Sequence, residues 1–123
     1  MGVRFVTRAA MAAFILAAVA VAPARAAGFL SSVDDLPLMP GLAEKPAAAL
    51  LFDTPAGRVA ESVAEGDVGA DAVIAFYAAT LPELGWVSVT PKQYRRDNET
   101  LRLDMVAGRR LTVQFTVTPA DTP

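Results

Sequence analysis

Two periods of apolar and polar positions organise this chain. Over residues 70–86, ADAVIAFYAATLPELGW, the side chains of Val73, Phe76, Tyr77, Leu81 and Leu84 recur at spacings of three and four. That is the stripe of a helix lying on one apolar surface. The opposite side carries Ala72, Ala75 and Ala79, either exposed helix formers or a close-packing face. Pro82 bars continuation of the helix, and Gly85 lets the chain reverse into Trp86-Val87-Ser88-Val89. Trp86 is expected to cap that corner, the alternative being an outward position beside Ser88 and Thr90.

After this point the period is two. Leu101, Leu103 and Met105 alternate with Arg102 and Asp104, and Leu111, Val113, Phe115 and Val117 alternate with Thr112, Gln114, Thr116 and Thr118. Both stretches are half-buried strands with one wet face. Opposed residues of an antiparallel pair have a constant sum of residue numbers. A three-residue loop, Ala107-Gly108-Arg109, then pairs Leu103 with Val113, Met105 with Leu111 and Leu101 with Phe115, keeping the apolar faces together. A two-residue turn at Asp97-Asn98 pairs Tyr94 with Leu101 by the same test.

Before the helix, Ala49-Leu50-Leu51-Phe52 is a short apolar strand closed by the turn residues Asp53-Thr54-Pro55-Ala56-Gly57. Residues 58–65, RVAESVAE, alternate so that Glu61 falls between Val59 and Val63 on one face. A bulge near Ala60-Glu61, or an edge position, would relieve a trapped carboxylate. The predicted fold is α+β: one helix packed on a single antiparallel sheet, in the order β-β-α-β-β-β-β, over residues 48–119. A tail at 120–123 follows.

Residues 27–47 form a Pro-rich arm with Pro37, Pro40 and Pro46, which excludes a helix or central strand. The arm either packs its leucines on the domain or serves as a pre-extended docking segment. Leu36, Leu38, Met39 and Leu42 are its candidate partner surface. Residues 1–26 have the form of an export signal: Arg4 and Arg8, then the uncharged apolar run 9–21, then Ala24-Arg25-Ala26. Cleavage is expected before Ala27, because the apolar run falls short of the roughly 20 residues of a spanning helix. The expected address is the periplasm, with no integral membrane segment after cleavage.

Composition narrows the function. The 123 residues include 11 Lys+Arg, 13 Asp+Glu, no His and no Cys. Loss of Arg4, Arg8 and Arg25 leaves 8 basic residues against 13 acidic ones, a net charge of −5. An acidic surface disfavours nucleic acid and anionic membrane as the main partner. Without His or Cys there is no imidazole base for a Ser nucleophile and no thiolate or imidazole metal ligand. The acids lack the spacing of a calcium loop, and Gly66 and Gly69 lack the Lys and remaining glycines of a phosphate loop. The basic pairs Arg95-Arg96 and Arg109-Arg110 fall at opposite ends of one strand and do not make a single patch.

The segments Phe52-Asp53-Thr54-Pro55-Ala56-Gly57-Arg58, Phe76-Tyr77, Leu81-Pro82-Glu83-Leu84-Gly85-Trp86 and Tyr94-Arg95-Arg96 resemble a group of small uncharacterised exported (periplasmic) bacterial proteins. The resemblance spans Phe52 to about Val117, and it implies a shared fold without an activity. A helix on an antiparallel sheet is also loosely similar to accessory domains of outer-membrane assembly lipoproteins, although the lipid-anchor Cys is missing. The expectation is a non-catalytic periplasmic accessory protein acting through protein contacts, with no metal and no cofactor. The alternative is a carrier of a small apolar ligand held by Phe76, Tyr77, Tyr94, Leu103 and Phe115 between helix and sheet.

Overall fold

The computed structural model describes residues 28–33 and 35–120. The expected signal over residues 1–26 lies outside them. Nine strands and one α-helix form an α+β domain: β1 (Gly28–Phe29), β2 (Pro37–Leu38), β3 (Leu42–Glu44), β4 (Leu50–Thr54), β5 (Gly57–Gly66), α1 (Ala70–Thr80), β6 (Val87–Thr90), β7 (Gln93–Arg96), β8 (Glu99–Val106) and β9 (Leu111–Pro119). From β4 onward the order is the predicted one. The arm adds three short strands and a 3-10 turn at Pro46–Ala48.

The main sheet is antiparallel and runs β3-β5-β9-β8-β7-β6. At its first margin β5 carries two partners in succession. β4 pairs with residues 57–61 of β5, and β3 pairs with residues 64–66. The pairs β4–β5, β6–β7, β7–β8 and β8–β9 are hairpins, and β9 inserts between β5 and β8. β1 and β2 of the arm pair antiparallel in a second, two-stranded sheet, where a single sheet was expected.

Helix α1 begins at Gly69, whose extended backbone (φ −83°, ψ 150°) stands outside the helix. Val73, Tyr77 and Leu81 are fully buried and Phe76 packs partly against them. Leu84, expected in the same stripe, is instead exposed. The chain tightens into a 3-10 turn over Leu81–Leu84, in which Leu81 is the buried residue and Leu84, at the far end, is left at the surface. Gly85 then takes a left-handed conformation (φ 91°), which lets its N–H and that of Trp86 return to the turn carbonyls. Trp86 caps the corner, almost wholly buried. The alanine face of Ala72, Ala75 and Ala79 is exposed.

Strand β5 corrects the expected relief of Glu61. It has neither bulge nor edge position: its pairing with β9 is continuous from Ala60 to Gly66. Ala60, Ser62, Ala64 and Gly66 point into the core, and Val59, Glu61 and Val63 lie half-buried on the other face. The inward face is small because the arm approaches closely there. The Ser32 hydroxyl donates to the Glu61 carbonyl at 2.9 Å and lies 2.8 Å from the Ser62 hydroxyl. At Gly66 a Cβ would land on the Gly41 carbonyl oxygen.

The β8–β9 register also differs from the expected one. Leu103 opposes Phe115, Met105 opposes Val113 and Leu101 opposes Val117. The shift is two residues, so every apolar side chain keeps its face. Alternation fixes a register only modulo two, and the looser connection at residues 107–110 sets the remainder. The Asp97-Asn98 turn places Tyr94 opposite Leu101 as expected, with Asp97 left-handed at φ 50°.

Candidate functional site

The arm residues expected at a partner surface belong to the core. Leu36, Leu38 and Leu42 are buried and Met39 is partly so. Proline spacing made this segment extended, but its leucines cover the domain's own sheet and helix. The Tyr77 hydroxyl fastens it, donating to the Pro37 carbonyl at 2.8 Å and accepting from the Met39 N–H at 3.2 Å. Burial raises the Tyr77 pKa well above its ordinary value, the Met39 bond opposing this only in part.

The residues expected to line an apolar pocket do meet, but as filled packing. Tyr77 stands edge-on to Phe76 (ring centroids 5.0 Å apart) and to Phe115 (5.4 Å). Leu103 lies opposite Phe115 across the β8–β9 pair, and Tyr94 is buried opposite Leu101. A concavity of ≈ 260 Å³ lies elsewhere, between the segment that leads into α1 (Asp67 to Ala70) and the 107–110 loop with Arg109 and Arg110.

A charged cluster closes one end of the core. Arg58 makes two bonds to the Glu99 carboxylate, at 2.6 and 3.1 Å, and Arg96 reaches Asp35 of the arm at 2.6 Å. Arg96 also donates to the Leu84 carbonyl at 3.2 Å, and its guanidinium stacks 4.3 Å from the Trp86 ring centre. Every charge in the cluster has an opposite neighbour, so its chemistry is that of a fastener joining arm, helix exit and sheet. Among the described residues no group of three or more acids could hold a metal ion, and no helix is long and apolar enough to cross a membrane.

What remains open is a sheet edge. Among the described residues β4 pairs with β5 on one side only, and Leu50, Leu51 and Phe52 are 45%, 56% and 46% exposed. Pairing with Glu61 and Val59 sets Leu50 and Phe52 on the face turned from the helix; Leu51, opposite Ala60, lies on the helix side. The edge is therefore apolar on both faces, and half of its backbone groups turn outward unpaired by a neighbouring strand. The sequence signal was present in the Leu-Leu-Phe run, which lacks alternation. Such a run reads equally as a central strand covered on both faces, and only the pairing places it at the margin.

Compared with family models, with curated proteins and with solved structures, the chain matches none.

Proposed function

We propose that this protein is a non-catalytic accessory protein of the bacterial periplasm that binds other polypeptides by adding an extended segment to β4. The observation that carries the reading is the bare margin Leu50-Leu51-Phe52, where main-chain bonding groups and apolar side chains of both faces are presented together. Strand addition uses these two elements: the ladder supplies affinity, and alternate side chains supply selectivity. The signal-like N-terminus, the resemblance to small exported proteins and the absence of His and Cys support the same address and a role without covalent chemistry. Mutual packing of Tyr77, Phe76 and Phe115 favours a filled core over a carrier of small ligands.

A photo-crosslinking amino acid at Leu51, introduced into the full chain in cells, tests the reading. The expected result is one dominant polypeptide adduct that is lost when Leu50 is also changed to Lys. Equal, diffuse labelling from Leu51 and from Val87 on the far margin would remove it.

A further inference from the structure

The two margins of the sheet differ in their protection. β6 has a register shift between Ser88 and Thr90 and is followed at once by Pro91, two devices that keep a further strand from pairing. β4 is likewise followed by a proline, Pro55, but it has no register shift: its pairing with β5 is regular over all five residues, and the strand itself contains no Pro, Lys or Arg. An apolar edge with regular pairing is a template for whatever extended segment is nearest.

We infer that the occupant of this edge is β4 of a second copy of the same chain, related by a two-fold axis through Leu51. The inference rests on the reading of β4 as a binding edge and names the partner that edge fits. Opposed residues in an antiparallel pair share a face and a constant sum, and a two-fold centred on Leu51 sets that sum. It places Leu51 opposite Leu51, Leu50 opposite Phe52 and Asp53 opposite Ala49. All three apolar side chains then meet apolar partners on their own face, and no like charges oppose each other. Centring on Phe52 instead sets Leu51 against Asp53 and Leu50 against Thr54. Centring on Leu50 sets Leu51 against Ala49 and Phe52 against Ala48, both before the strand, whereas centring on Leu51 keeps all three apolar residues paired within it. The edge is self-complementary in one register. Pairing in that register fuses the two sheets into one and covers on both faces what each copy leaves bare.

The lack of native cysteine makes the test direct. Purified protein, expressed from its full sequence, is examined by sedimentation, and by oxidation of single-Cys variants. Leu51→Cys brings two thiols together across the axis within disulfide reach, since directly opposed strand residues have Cα atoms about 4.5–5.5 Å apart. Val87→Cys on β6 is the control: Val87 is 67% exposed, more than Leu51, so random collision would favour it.

The expected results are a concentration-dependent dimer, covalent dimer forming at least about tenfold faster from Leu51→Cys than from Val87→Cys, and dimer affinity at least about tenfold weaker in Leu51→Lys. A mixture of Leu50→Cys and Phe52→Cys should cross-link faster than either alone. A monomer at every concentration, equal rates from Leu51→Cys and Val87→Cys, or faster coupling of Leu50→Cys with itself would each overturn the self-pairing. If self-pairing fails while the Leu51 photo-crosslink captures a different polypeptide, β4 remains a binding edge. If both fail, so does the edge reading. Unchanged circular dichroism and melting of the Cys variants tie these outcomes to the edge and not to unfolding.

Discussion

At one margin of the sheet, β6 leaves the helix exit under Trp86, shifts register before Thr90 and stops at Pro91. At the other, β4 follows a 3-10 turn, pairs regularly with β5 and ends in a tight turn where the Thr54 hydroxyl bonds to the Gly57 carbonyl. Both margins expose apolar side chains: Val87 and Val89 on β6, Leu50, Leu51 and Phe52 on β4. Exposure alone therefore does not separate them. Backbone regularity does, because a strand can extend a sheet only where successive residues offer bonding groups in register. The β6 margin is also tied down by its neighbours, through the Trp86–Arg96 stack and the Arg96 bond to Leu84.

If the β6 margin is held from behind by Trp86, removing that support should have the largest effect of any single change. Trp86→Ala is expected to cost about 3–5 kcal/mol in chemical denaturation, since it empties a buried site at the corner. Arg96→Ala removes the guanidinium from the ring, from Asp35 and from the Leu84 carbonyl. A loss of about 1–3 kcal/mol is expected, with Arg96→Lys recovering part because it keeps the charge but not the planar fork.

The arm contrasts with both margins, because one core hydroxyl, that of Tyr77, bonds two of its backbone groups. Tyr77→Phe should cost about 1–2 kcal/mol by leaving the Pro37 carbonyl and the Met39 N–H without that partner. The same variant has a pH signature. Burial holds the Tyr77 phenol protonated in the folded state, whereas the unfolded chain ionises near pH 10, at about the ordinary tyrosine value. Its contribution is therefore fully present below about pH 10 and declines above it, as the unfolded state alone gives up the proton. Melting followed from pH 8 to 11 should fall less steeply in Tyr77→Phe. A residual slope is expected from Tyr94, whose pKa burial also raises.

The smallest expected effect on stability is at the β4 margin. In the monomer, at protein concentrations too low for self-pairing, Leu51→Lys should change unfolding free energy by no more than about 0.5 kcal/mol, because its side chain is 56% exposed. A larger change would mean that β4 supports the fold more than its one-sided pairing suggests, and would narrow the difference between the margins.

Periodicity by itself determined the helix, its exit at Pro82 and Gly85, the two long C-terminal strands, their buried faces and the Asp97-Asn98 turn. These depend on contacts close in sequence, where residue spacing is geometry. Tertiary structure decided what spacing leaves degenerate. The β8–β9 register moved by two residues without moving a side chain to the wrong face. The β5 pattern inverted because Ala60, Ser62 and Ala64, too small to signal a core, face an arm that comes close. The arm's leucines are equally apolar in a groove of another protein or in their own core, and long-range contact with Tyr77 settled which. The same ambiguity hid the candidate site. Leu-Leu-Phe is a central strand or a bare margin according to what lies beside it, and that no second strand pairs with it among the described residues is a property of the whole sheet.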